Sequence, residues 1–322
     1  MVALPRKAKH FLVFIAKLLV VGGAFYFIYN RIANDENLDW QHLSHATQQK
    51  HAGWLIFGIL LFTFLNRFLE IFKWQNLVNS FVPLSFARAA DQVFAAVTAG
   101  VFTPNGVGEY AAKALYYKKD QAKQIVFLNL ICNGIQMVIA IVLGLAGLIV
   151  FNALYNVVPT TLLLIILAIL AAIIITVFAS RKITIKGYSL HLLFTKINEL
   201  PKATHRKNML LATGRYLSII HQHYLIFLAF GVHLPYPVMI SAIAGVYFLG
   251  SALPNFQFLD FAVRGSVAVF FFGKMGVTEW IVIFAATLQW LLNIVIPVTI
   301  GSYYVLRFKS VRAETTAAPH QE

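Results

Sequence analysis

Two acid–base pairs at four-residue spacing lie within otherwise apolar sequence: Glu109 with Lys113, and Asp260 with Arg264. On a helix, residues four apart share a face, and an acid placed N-terminal to its base is the favoured order. Each acid also lies within about a turn of an expected helix N-terminus, where the backbone dipole favours negative charge. The plain reading is that each pair neutralises itself and only lowers the cost of entering a membrane. The sharper reading is a substrate path, since ionisable groups within lipid are costly and mark such paths by default. That cost favours the path.

Both acids follow a break in the chain, at Pro104-Asn105-Gly106 and at Pro254-Asn255. Proline removes a backbone donor, and asparagine can cap the helix that follows. Such a break serves as a tight turn, or exposes backbone N–H groups to an anionic headgroup, and the two roles are compatible. Polar stripes accompany the breaks. Arg67, Glu70 and Lys73 recur at three-residue spacing, Arg215, Ser218 and Gln222 share a face, and Asn129, Asn133 and Gln136 share another. In apolar helices these side chains must face protein or water, and most such groups tie helices together. Arg67 and Arg215 are the stronger functional candidates, because a guanidinium can grip phosphate bidentately.

Nothing points to metal or covalent chemistry. His221 and His223 are two residues apart and would point to nearly opposite sides of a helix. The sequence contains no Walker loop, no His-Glu-x-x-His, no Gly-x-Ser-x-Gly and no Asp-x-Asp. No catalytic residue, metal or cofactor is assigned. Cys132 is the single cysteine and lies in an apolar run, so no intrachain disulfide or cysteine-based metal site can form.

The elements that must position these groups are membrane helices. The chain has 322 residues, 59% of them hydrophobic and 12% charged, too little charge to cover a soluble surface. Apolar runs of about 20 residues, enough to cross a hydrocarbon core, occur at Phe11–Asn30, Ala52–Phe72, Ile125–Phe151, Thr161–Ala179, Met209–Phe230 and Trp280–Leu306. They are continuously apolar rather than alternating, which favours helices over a β-barrel. Residues 87–103 and 238–253 are shorter segments ending at the breaks, and the first resumes as a helix through Lys119. Ala95, Ala99, Gly100, Gly245, Gly250 and Ser251 in these segments allow close helix packing. The predicted fold is an all-α polytopic bundle with about six full spans and two broken, re-entrant hairpins.

The two halves echo each other. Thr103–Lys113 aligns with Leu253–Arg264 with one inserted residue. Pro104 pairs with Pro254, Asn105 with Asn255, Glu109 with Asp260, and Lys113 with Arg264. Upstream, Arg67-Phe68-Leu69 resembles Arg215-Tyr216-Leu217; downstream, Asn129 and Asn133 resemble Gln289 and Asn293. Common order in matching contexts argues for an internal repeat.

The formal charge is +14, carried mainly in loops and tails, which makes it a topology signal before a nucleic-acid one. No basic run is interleaved with aromatics on a soluble face, so nucleic acid is not an expected partner. Arg6, Lys7 and Lys9 precede the first run, which reads as a retained signal anchor with a cytoplasmic N-terminus. Residues 31–51 are poor in basic residues and suit the outside; residues 181–208 are rich in them and suit the cytoplasm, as does the C-terminus. With an even number of crossings at each hairpin, the halves run in opposite senses, an inverted repeat. One membrane domain is expected over residues 1–312, with a disordered tail at 313–322.

With these residues identified, the chain resembles the lysylphosphatidylglycerol synthase transmembrane-region family, the flippase-like membrane domain. The likeness rests on the broken helix with Pro104, on Gly108-Glu109 with a basic residue following, and on the echo at Pro254. It implies a lipid translocator in the inner cell membrane, and a stand-alone member without the aminoacyl transferase domain of larger relatives. Asn105 stands where such members often have glycine, and Lys113 falls four residues after Glu109 where an arginine about three after is expected. The carry-over is therefore firmest at Glu109.

These readings converge on a protein that moves a lipid or lipid-linked headgroup between leaflets. Its path would be lined by Glu109, Lys113, Asp260, Arg264, Arg67 and Arg215. Without an ATP site, transport would be facilitated or ion-coupled. The alternatives are a membrane-embedded lipid transferase using Glu109 or Asp260 as general base, and a non-catalytic partner subunit of an envelope enzyme. Membrane lipids are the expected partners, and association with itself or with an envelope enzyme stays open.

Overall fold

A computed structural model describes residues 52–101, 103–104, 106–180, 184–185, 188–252 and 257–308. The first apolar run Phe11–Asn30, the stretch 31–51, Asn105, Pro254, Asn255 and the tail 313–322 lie outside the described residues. The described chain is helical apart from one two-residue antiparallel ladder. In order it forms α1 (Ala52–Val78), α2 (Phe86–Gly100), α3 (Gly108–Ala114), α4 (Ala122–Tyr155) and α5 (Thr160–Ala179). The ladder follows, β1 (Thr184–Ile185) with β2 (Tyr188–Ser189), then α6 (Leu190–Asn198), α7 (Lys202–Ala229) and α8 (Tyr236–Ala252). A 3₁₀ turn at Gln257–Leu259 leads into α9 (Asp260–Gly273), and α10 (Glu279–Arg307) closes the chain.

Four helices, α1, α4, α5 and α10, are long and apolar enough to cross a membrane. α5 has no buried residue, and Leu164, Ile175 and Phe178 on it are more than half exposed. A helix that is apolar all round and uncovered by protein is a membrane span rather than an amphipathic surface helix. The same inversion holds across the molecule. Large apolar side chains such as Phe64, Leu154 and Met137 face outwards, while Lys73, Lys113, Asn129 and Gln222 are buried. A soluble surface does not carry apolar patches on this scale.

Three expectations need correction. The run at Met209–Phe230 is not among the four apolar spans: α7 is long enough, but Arg206, Lys207, Arg215, His221, Gln222 and His223 dilute its hydrophobicity. The helix after the first break ends at Ala114, not Lys119. There the Leu115 N–H is shared between the Ala111 and Ala112 carbonyls, and the Tyr116 N–H bonds Lys113 O at 3.3 Å. This tightened last turn is a usual helix stop. It brings Tyr117 inwards, where its hydroxyl donates to Gln92 Oε1 at 3.0 Å. Residues 181–208 are also more than a loop, since they include the β ladder, α6 and the first turns of α7.

The packing is reciprocal. α1 lies against α7. α2 packs on the second part of α10, and its counterpart α8 packs on α4. Small residues permit both approaches. A Cβ on Gly301 would collide with the Phe94 carbonyl, and one on Gly144 would come within 2.7 Å of Phe248 Cβ. Within each hairpin the limbs also touch, α2 with α3 and α8 with α9. The apolar core divides into two main clusters. Along α1, Ile59 belongs to one and Ile71 to Val78 to the other, and Asn66 and Arg67 fall between them.

Candidate functional site

The polar stripe of α1 is built around Glu70. Its Oε2 lies 2.7 Å from Lys73 Nζ, one turn on, and 3.1 Å from Arg215 Nη1 of α7. Removing one partner of such a buried pair costs about 3–5 kcal/mol, because the other charge is left without compensation. Two cations on one carboxylate therefore explain how Glu70 can be buried. Around this hub runs a hydrogen-bonded chain. Arg215 Nε donates to Asn66 Oδ1 at 2.9 Å, Asn66 Nδ2 donates to Asn293 Oδ1 at 2.6 Å, and Asn293 Nδ2 donates to Gln222 Oε1 at 2.7 Å. Gln222 in turn donates to Thr63 Oγ1 at 2.6 Å. Residues from α1, α7 and α10 are thereby tied into one polar layer.

Arg67 joins through a backbone carbonyl that local sequence sets free. Its Nη2 donates to Asn293 O at 2.9 Å. Asn293 sits in a π turn, Leu291–Val295, and the residue four further on is Pro297, which has no N–H to return to that carbonyl. π turns inside α-helices recur at functional sites. The Arg67 guanidinium also lies 6.0 Å from the centre of the Phe94 ring, and its Nε has no hydrogen-bond partner among the described residues.

The two acid–base pairs do not behave alike. Asp260 and Arg264 close as the spacing predicts, with Nε 2.7 Å from Oδ2. Arg264 also lies 4.2 Å from the centre of the Tyr247 ring, and Gly250 leaves room for its stem. Glu109 and Lys113 form no ion pair, which corrects the expectation that they face each other. Lys113 is 1% exposed; its Nζ donates to Asn129 Oδ1 at 2.7 Å and stands 4.3 Å from the centre of the Trp74 ring. That indole face and amide draw the ammonium towards α1 and α4. Glu109 packs instead over Gly100, where a Cβ would come within 2.6 Å of its Cγ, and accepts from Gln257 Nε2 at 3.2 Å. Gln257 follows the second break, so the two hairpin turns touch. Gly106, with φ +70°, needs its glycine doubly, because a Cβ there would collide with the Gln257 amide.

Arg67 and Arg215 thus join one polar layer, Arg215 through Asn66 and Arg67 through Asn293, to which Asn66 is hydrogen-bonded. Lys113 lies within electrostatic reach of Glu70, and Glu109 within reach of Arg67. Pro104 is half of the first turn and is exposed; Asp260 and Arg264 form a separate pair on the other hairpin. Four cations, Arg67, Lys73, Lys113 and Arg215, share the first cluster with two carboxylates, Glu70 and Glu109. Among the described residues, the cluster carries an excess of two positive charges. His221 bonds Leu217 O and the Tyr236 hydroxyl, whereas His223 stacks on Phe227, so the two imidazoles serve different contacts.

Sequence reasoning did not single out Asn66, Gln257 or Asn293 as site residues. The first is adjacent to Arg67 and the third lies four residues before a proline, signals that could have marked both. Gln257 had none. No model of a known protein family matches the chain, and no curated protein matches it.

Proposed function

We propose that this multi-pass helical protein passes a lipid or lipid-linked headgroup between membrane leaflets, through a polar path formed where its two halves meet. The observation that carries this reading is the charged layer of Glu70, Arg67, Arg215, Lys73 and Lys113, enclosed by helices whose outer faces are apolar. A merely structural polar layer would tend towards neutrality. An uncompensated one suits a site that a polar headgroup visits while its tails stay in the bilayer.

The path is read as lying between the halves of an inverted repeat, with N- and C-termini cytoplasmic and Pro104 and Pro254 near mid-depth. Reciprocal packing supports this: each hairpin's first limb lies on the other half's closing helix, and α1 pairs with α7. Contact between Gln257 and Glu109 supports convergence of the two turns. Broken helices that meet near the midplane commonly form transport sites. The likeness to the flippase-like transmembrane domain of lysylphosphatidylglycerol synthases points the same way.

Reconstitution tests it. Purified full chain in vesicles should accelerate leaflet exchange of fluorescent lipids, and Glu109→Gln or Asp260→Asn should reduce that exchange at normal incorporation. A new lipid species formed during the assay would favour a transferase. Exchange no faster than in protein-free vesicles, across neutral and anionic lipids, would sink the translocator.

A further inference from the structure

We infer that the cluster between α1 and α7 is a binding site for a phosphate monoester, gripped by Arg67 and Arg215. This rests on the translocator reading for its setting and goes beyond it in naming the chemistry of the headgroup.

Charge is the first argument. Among the described residues, the cluster holds four cations and two carboxylates, and no further carboxylate acts on Arg67 or Glu70. Unpaired charge in a low-dielectric interior is costly, so a site left with two excess positive charges is built to be completed by an anion. A phosphate monoester carries about −1.5 to −2 near neutral pH, which balances that excess. A phosphodiester carries one negative charge and a carboxylate one; neither restores neutrality.

Geometry is the second. Lys73 and Lys113 are enclosed, at 0% and 1% exposure, and each already has an amide or carboxylate partner. They supply field rather than contact. Arg215 has a side chain 21% exposed, and Arg67 is half-buried, so these two guanidiniums form the open edge of the cluster. Each is anchored by part of its guanidinium. Arg215 gives Nε to Asn66 and Nη1 to Glu70, and Arg67 gives Nη2 to the Asn293 carbonyl, leaving its buried Nε–H without a partner among the described residues. Guanidiniums anchored in this manner keep N–H groups in a fixed fork that matches phosphate oxygens. They come one from each half of the chain, so an anion bound between them would link α1 to α7.

The shared chemistry admits two sources, a lipid headgroup or free phosphate. The test is equilibrium binding to the purified full chain in detergent. Short-chain phosphatidic acid, phosphatidylglycerol and inorganic phosphate are each titrated by calorimetry. Phosphatidic acid should bind at least about tenfold more tightly than phosphatidylglycerol, and Arg67→Gln should weaken it about 10- to 100-fold, the scale of a lost charge-assisted hydrogen bond. Arg215→Gln should do the same; if loss of its contact with Glu70 prevents folding, Arg215→Lys, which keeps the charge but not the fork, should weaken binding while the protein still folds. Inorganic phosphate binding as tightly as phosphatidic acid would support a site for the dianionic phosphate group, with free phosphate as its ligand. Equal binding of phosphatidic acid and phosphatidylglycerol, no binding of either phosphatidic acid or inorganic phosphate, or an Arg67→Gln protein that binds like wild type would overturn the proposal. Because no leaflet exchange is needed for binding, the two readings fail separately. Phosphatidic acid bound without lipid exchange removes only the translocator, and exchange without monoester preference removes only this site.

Discussion

The second limbs of the two hairpins, α3 and α9, begin from nearly the same local recipe and reach different ends. Each has an acid in its first turn and a base four residues later. In α9 the pair closes at 2.7 Å, with the base held over Tyr247 and beside Gly250. In α3 the base leaves its acid for Asn129 and the face of Trp74, and the acid packs over Gly100 and takes a proton donor from the other hairpin. The difference teaches that four-residue spacing makes an ion pair available without securing it. Where a buried aromatic face and an amide compete, they can outweigh a partly exposed pair worth only about 0–1 kcal/mol. One hairpin therefore keeps its acid and base paired, and the other gives its base and its acid separate partners at the buried cluster.

The largest expected effect breaks the contrast between buried and closed charge. Glu70→Gln should destabilise the protein by about 3–5 kcal/mol, because Lys73 and Arg215 are left without compensation. Asp260→Asn, in a pair whose side chains are 20% and 26% exposed, should cost no more than about 1 kcal/mol. Thermal unfolding in detergent compares them, and equal losses would mean the two acids share one role. Of intermediate size is the meeting of the turns. Gly106→Ala meets both a positive φ and the Gln257 amide, whereas Gly276→Ala, at φ +74°, has nothing within 4 Å. Gly106→Ala should therefore cost about 1–3 kcal/mol more, the usual price of overpacking. Similar melting temperatures for the two variants would mean that contact between the turns contributes nothing. The smallest effect sharpens the comparison directly. A double-mutant cycle on Asp260 and Arg264 should give a coupling of about 0.5–1 kcal/mol, and one on Glu109 and Lys113 a value within about 0.3 kcal/mol of zero. A coupling in the second cycle as large as in the first would contradict the open pair.

Much of the architecture was legible because it is local. The apolar runs at Ala52, Ile125, Thr161 and Trp280 became helices of sufficient length, since an apolar helix satisfies its own backbone wherever it lies. The interruption near Pro104 fell where proline removes a donor. The end of α3 was not legible, because it depends on Tyr117 finding Gln92, a contact across 25 positions of sequence. Nor were the partners of α7's polar side chains, which α1 and α10 supply through Asn66, Thr63 and Asn293.

The sequence by itself determined which residues are charged, which helices carry them and which face each stripe occupies, because helical periodicity is set by bonds four residues apart. It could nominate Arg67 and Arg215 one by one. Only the tertiary structure decided that they meet. Arg215 reaches Asn66 across 149 positions, and Arg67 reaches Asn293 across 226. Partners so distant are selected by how helices cross and by which groups lose water together. The balance between desolvation and pairing at Glu70 therefore exists only once α1, α7 and α10 are packed.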